Sequence, residues 1–187
     1  MRIAKDEYKH HLPPEIIVDS VCNSNARVVV AMRISKMGCA TPVFAPPGER
    51  INADDYIQML QQSFFPQMSM MAQKRGKSKW GFQQDNAPCH STQKVLKTIK
   101  KHAKCEFPPW PPVSPDLSPL DFFLWPEMKR FILSLETPPK NEASIRAAVC
   151  LSASSIDQTK INQAIDSMIK RCEMCLQVGG LRFEYLL

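Results

Sequence analysis

WGFQQDNAPCH, residues 80–90, decides how the rest of the chain is read. Trp80 to Gln84 reads as a short buried strand that ends at Asp85, and α/β sheets present functional groups where the chain leaves such a strand. Downstream, Ser91 or Thr92 can cap a helix through Lys104, with Val95, Leu96 and Ile99 inward and the lysines outward. Cys105 to Phe107 resembles another brief strand. Upstream, Ala26–Ile34 (ARVVVAMRI) and Thr41–Ala45 (TPVFA) flank the turn Ser35-Lys36-Met37-Gly38, which predicts an antiparallel hairpin. Asn52 can cap a helix with Asp54 and Asp55 in its first turn and Tyr56, Ile57, Leu60 and Phe64 at helical spacing. Pro66 marks its end or a kink.

After the lysine helix, residues 108–119 read PPWPPVSPDLSP and hold six of the sixteen prolines, which excludes regular structure there. Ser118-Pro119 then starts a helix: a cap followed by proline at the first helical position, where its missing N–H costs nothing. Asp121 lies in that first turn, and Pro126 should kink the helix. Two further helices are expected near Asn141–Ser154 and Thr159–Val178. The last has Ile161, Ala164, Ile165, Met168, Ile169, Cys172 and Cys175 on one face and Gly179-Gly180 as its stop. The order hairpin, helix, strand, helix, strand, helices predicts an α/β fold with a mixed sheet and a helical C-terminal layer.

Length and composition agree. The 187 residues suit one domain, 44% are hydrophobic and 22% charged, and no apolar run approaches the roughly 20 residues that span a bilayer. The N-terminus lacks the apolar core of a signal peptide. Seven scattered cysteines fit reduced thiols in a reducing compartment, and Cys172-x-x-Cys175 has no second pair with which to complete a zinc site. The net charge of +6 is concentrated: nine basic residues and one acid, Asp85, lie between Met71 and Lys104, a local charge of +8. Such a stretch either neutralises phosphates or is an ordinary solvated lysine face.

Asp85 alone reads as readily as a helix cap, and Asp121 as a partner of the helix dipole. Together, 36 positions apart with a basic helix between them, they fit phosphodiester chemistry. Two divalent cations about 3.5–4 Å apart need shared carboxylates, and the phosphate needs a cationic approach.

The blocks QQDNAPCH and SPDLSPLDFFLWPEMKR resemble the two most recognisable blocks of mariner-type transposases, which move DNA elements by cut-and-paste. The hairpin, the INADDYIQMLQQSFFPQM helix and the tail RCEMCLQVGGLRFEYLL resemble the corresponding family segments. The resemblance implies a ribonuclease H-like mixed sheet flanked by helices, with residues 26–135 carrying sheet and acidic motifs and 136–187 the C-terminal helices. It implies an Asp-Asp-Asp/Glu triad holding Mg2+ or Mn2+, DNA as partner, a homodimer and a nuclear location. Asp85 and Asp121 match the second and third acids, and Lys94, Lys97, Lys100, Lys101 and Lys104 would meet DNA. Asn86, His90 and Asp116 would order the loops.

The first acid, its central strand and the family's helix-turn-helix modules have no clear counterpart. Asp19, after the largely apolar run Pro14-Glu15-Ile16-Ile17-Val18, is the stand-in for that acid. A chain lacking this strand should be a partial catalytic domain, inactive alone. The alternative is a non-catalytic remnant that binds nucleic acid through the lysines or a protein partner through the P-x-x-P spacings of residues 109–115. The hairpin also departs from the family pattern at Ala31-Met32-Arg33, where Trp and Gly are usual.

Overall fold

Val28–Ala31 (β2) alternates buried and half-buried side chains, as a strand with one face on a core must. In the computed structural model it pairs antiparallel with Val43–Phe44 (β5), Val30 opposite Phe44. Between them Ile34–Ser35 (β3) pairs with Gly38–Cys39 (β4) around the Lys36-Met37 turn, so the expected hairpin forms in two segments. Pro42 has no N–H to give to the ladder, and pairing lapses beside it. The Ser35 hydroxyl accepts from the Met37 N–H and donates to the Gly38 carbonyl, and Gly38 takes φ 149°, which favours glycine. Glu15–Ile16 (β1) lies beside β2, giving the order β1-β2-β5. The structure describes residues 15–16, 28–46, 51–77, 80–103, 110–183 and 186. Asp19, Lys104 and the strand expected at Cys105–Phe107 lie outside them.

Contacts group the chain into two compact units. The first comprises Ala45–Val113 with Met1–Glu15; the second comprises Ile16–Phe44 and Ser114–Leu187.

In the first unit Asn52 caps Ala53–Met59 (α1) through a reciprocal box: its Oδ1 accepts from the Asp54 and Asp55 N–H groups, and Asp55 accepts from the Asn52 N–H. The helix does not end at Pro66. A π-helical turn, Leu60–Phe64, leads into Phe65–Lys74 (α2) with Pro66 at its start. Proline lacks the N–H and crowds the carbonyl four residues back; a widened turn just ahead accommodates both. Phe65 collects Trp80, Phe82 and the His102 ring, with centroids 5.5, 6.0 and 4.7 Å away. The strand expected at Trp80–Gln84 is not a ladder: Gly81 alone makes a bridge and residues 82–87 are irregular. The side chains explain why, since Phe82 packs on Phe65 while Gln83 and Gln84 bond locally and to Tyr56. Gln93–His102 (α3) begins after Thr92, whose side chain makes no capping hydrogen bond, and buries Val95 completely, but Leu96 is exposed and lies outside the apolar stripe.

In the second unit a 3-10 turn, Pro115–Leu117, precedes the helix begun at Ser118-Pro119. The Ser118 carbonyl accepts from the N–H groups of Asp121 and Phe122, 2.9 and 3.0 Å away. A second π-helical turn, Leu120–Leu124, then runs into Trp125–Leu133 (α4) with Pro126 at its start, repeating the arrangement at Pro66. Glu142–Ser155 (α5) is capped by Asn141, and Gln158–Gln177 (α6) by Asp157. The chain leaves α6 where expected: Gly179 and Gly180 take φ of 67° and 80°, and the Gly180 N–H returns to the Cys175 carbonyl. Leu124, Met128 and Val149 are fully buried in a core with Val28, Val30, Met32, Ile132, Ile145, Ala148 and Ala153. On α6 the buried residues are Ile161, Ala164 and Met174, whereas Ile169, expected on that face, is 72% exposed. Arg33 is buried at the hairpin bend beside Cys39; burial pushes that thiol up to about 11 against the pull of the Arg33 charge.

Candidate metal and nucleic-acid site

Residues 85–92 form a loop held at three points within the first unit. Asp85 Oδ1 accepts from the Ala87 N–H at 3.1 Å and lies 2.5 Å from His90 Nδ1. The Asn86 amide donates to the Trp110 carbonyl at 2.6 Å, tying the loop to the proline-rich stretch. The Gln84 amide donates to the His90 carbonyl and accepts from the Tyr56 hydroxyl, both at 3.0 Å. Tyr56 also stacks on the His90 ring, centroids 4.1 Å apart. Tyr56 and Gln84 are parts of the loop that sequence reasoning missed; the only hint was a tyrosine on the helix face expected to be buried.

The electrostatics follow from this pairing. Burial pushes the Asp85 carboxyl up, but the His90 hydrogen bond and charge and the Ala87 N–H outweigh it, leaving it below the usual carboxylate range. Burial pushes His90 down, and its bonds to Asp85 and Cys89 outweigh that, raising it to about 9. Asp85 is therefore an ionised hard-oxygen donor with a side chain 44% exposed, and both of its hydrogen bonds use Oδ1. That donor chemistry fits Mg2+ or Mn2+, although His90 is a resident cation with which a metal would compete. Among the described residues no group of three or more His, Cys, Asp or Glu side chains is placed to hold a metal ion.

The pair makes a prediction about stability. His90 is raised above its ordinary value, so its contribution is complete below about pH 6.5 and is lost as pH rises through about 9. Asp85 is lowered, so its contribution is present above the ordinary carboxylate range and is lost only in stronger acid. With Asp85 nearly half exposed, solvent screening limits the pair to about 1 kcal/mol, a shift in Tm of roughly 2–4 °C. Melting from pH 6 to 9.5 should show this fall in the native chain and not in His90→Gln; equal slopes in the two would refute the pairing.

The lysines are on α3 in the same unit. Lys94, Lys97, Lys100 and Lys101 are exposed, opposite Val95 and Ile99, and Lys94 pairs with Asp54 at 2.5 Å. Asp121 and Asp116 belong to the second unit. Asp121 is half-buried in the π-helical turn, its N–H bonded to Ser118. Asp116 is in the 3-10 turn, and its carbonyl accepts from Arg171 Nη1 of α6 at 2.8 Å. Arg171 also went unnoticed in the sequence. It continues the inward positions Ala164 and Met168 of α6, and a cation on a half-buried stripe was the available signal.

In sequence, the chain is 30% identical over 108 residues to the Tcb1 transposable element transposase of Caenorhabditis briggsae, an alignment that takes in 57% of this chain and 37% of that protein. The Tc1 transposase of Caenorhabditis elegans is 29% identical over 104 residues. In structure, the catalytic domain of Mos1 transposase, solved with Raltegravir and Mn, matches with a TM-score of 0.74 at 25% identity, covering 86% of this chain and 80% of that one. The chain is similar in sequence to these transposases and in structure to the Mos1 catalytic domain. The Mos1 mariner paired-end complex with Mn shares the fold, with a TM-score of 0.75 at 23% identity. No family model matches the chain. The chain spans a little over a third of the length of the curated transposases it matches. Its mixed α/β architecture agrees with the Mos1 catalytic domain. No helix among its described residues is long and apolar enough to cross a membrane.

Proposed function

We propose that this chain carries part of the catalytic domain of a cut-and-paste DNA transposase lineage, with a ribonuclease H-like fold. Asp85 and Asp121 supply two of its metal-binding carboxylates. The observation that carries the reading is local: an ionised, half-exposed carboxylate at Asp85 is fixed by His90 and Ala87 eight residues ahead of a helix that presents four lysines to solvent. A negative donor for a hard cation thus precedes a cationic face for phosphates. The π-helical turn around Asp121 adds support, since such turns gather at functional positions. Mg2+ or Mn2+, when bound, would stabilise charge on the phosphodiester oxygens and activate water. The protein's own groups do the rest: Asn86 and His90 order the Asp85 loop, the 3-10 turn at Asp116 shapes the approach to Asp121, and Lys97, Lys100 and Lys101 hold the DNA backbone. Solved Mos1 relatives include complexes with transposon ends and with Mn or Mg, which supports DNA and a divalent ion as partners here. A homodimer and a nuclear location belong to the same reading.

The third acid is the open position, with Asp19 its candidate. The isolated chain is therefore expected to bind DNA without cutting it. Incubated with supercoiled DNA and Mg2+ or Mn2+, it should produce no more nicks than Asp85→Ala. Cleavage that Asp85→Ala abolishes would show a complete site, and Asp19→Ala would then show whether Asp19 completes it.

A further inference from the structure

Arg171 makes two contacts that converge on one place in the second unit. Its Nη1 donates to the Asp116 carbonyl at 2.8 Å, and its guanidinium carbon lies 3.7 Å from the centroid of the Phe122 ring. Asp116 belongs to the 3-10 turn Pro115–Leu117 and Phe122 follows Asp121 in the π-helical turn. These two turns are joined in sequence only through Ser118-Pro119, and each is a single turn of non-α geometry, which has little stability of its own. A planar guanidinium can stack on a ring and donate in its own plane at once, which a lysine ammonium cannot do. Arg171 itself sits in the C-terminal half of the twenty-residue α6, which packs against both turns and against β3 and β4. Gln158 at the start of the same helix donates to the Ser35 carbonyl, and Lys36 pairs with Asp166. The helix is thus tied to the hairpin at one end and to the acidic block further along.

We propose that Arg171 is the positioning residue for Asp121: from α6 it clamps the 3-10 turn to the π-helical turn and so fixes where the Asp121 carboxylate points. The importance of that direction rests on the reading of Asp121 as a metal ligand; the clamp itself does not. The C-terminal helix is on this account part of the site's support rather than an outer layer alone, because a carboxylate on an unsupported turn would sample orientations that a hard cation cannot use.

Amide hydrogen exchange on the full chain tests the clamp without any metal. The N–H groups of Leu117 and Ser118 bond within the 3-10 turn, and those of Asp121 and Phe122 bond to Ser118. In Arg171→Gln all four should exchange at least about tenfold faster, while residues 145–149 of α5 keep their native rates. Arg171→Lys, which retains a donor but no planar face, should recover protection at Leu117 and Ser118 and not at Asp121 and Phe122. Unchanged rates at the four amides in Arg171→Gln, or acceleration spread equally over α4 and α5, would overturn the proposal. Should Arg171→Gln not fold, Phe122→Leu decides: faster exchange at Asp121 and Phe122 alone supports the clamp, and native rates refute it. A native chain that fails to bind Mn2+ through Asp121 would instead count against the metal reading, with the exchange result standing separately.

Discussion

Mn2+ affinity should fall tenfold or more when either Asp85 or Asp121 is changed to Ala, and the double variant should lose little beyond the first loss. Mn2+ takes hard oxygen ligands, and a site with few protein carboxylates depends on each of them. Removing one charged donor leaves the other to hold a strongly hydrated ion alone, and every 1.4 kcal/mol so lost is about a factor of ten. Near-equal, non-additive losses are the signature of two groups on one ion. Asp116→Asn is the informative contrast. Asp116 stands five residues from Asp121 in the same acidic block, but its turn engages Arg171 through the backbone carbonyl, so its carboxylate should be dispensable to within about threefold. Isothermal titration or the electron-spin signal of free Mn2+ measures all four variants. Additive losses at Asp85 and Asp121, or an equal loss at Asp116, would argue against a shared ion.

The second large effect concerns the lysine face of α3. Binding to duplex DNA should be independent of sequence, and reversing Lys97, Lys100 and Lys101 to Glu should lower its affinity by about a hundredfold at low salt and flatten its dependence on salt. These residues are exposed on the side of the helix away from Val95 and Ile99, so reversal disturbs no packed surface. Each phosphate contact contributes about −0.9 to the slope of log affinity against log salt, so three contacts are worth about −2.7. Lys94 is left out of the variant because its partner Asp54 already neutralises it. Retained affinity with an unchanged salt slope would place DNA elsewhere on the molecule or nowhere on it.

What the sequence disclosed was what short-range chemistry controls. Asn52 with Asp55 three residues on, Asn141 before its helix, Ser118-Pro119 and Gly179-Gly180 each announced a helix end, and each occurs where expected. Such signals involve groups within four residues of one another, so they depend little on the rest of the chain. The hairpin was legible for the same reason. Trp80–Gln84 was not, because its aromatic and β-prone composition is satisfied by ring packing on Phe65 rather than by a neighbouring strand. Leu96 and Ile169 fit helical stripes on paper, but a stripe tells which residues could face a core, not how wide that core is. At the site, Asp85 stood out at the end of an expected strand and His90 through the family block, and the two are paired. Tyr56 with Gln84, 28 residues apart, and Arg171 with Asp116, 55 apart, are tertiary partners that no local rule connects.

The central proposal is that Asp85 and Asp121 serve one metal site. Anomalous diffraction at the manganese edge from crystals of the chain grown with Mn2+ tests it most directly. The account predicts an anomalous peak at metal–oxygen bonding distance from both carboxylates, with a second ion, where present, about 3.5–4 Å away. A Mn2+ peak at neither residue, with the two carboxyl groups more than about 10 Å apart, would contradict it.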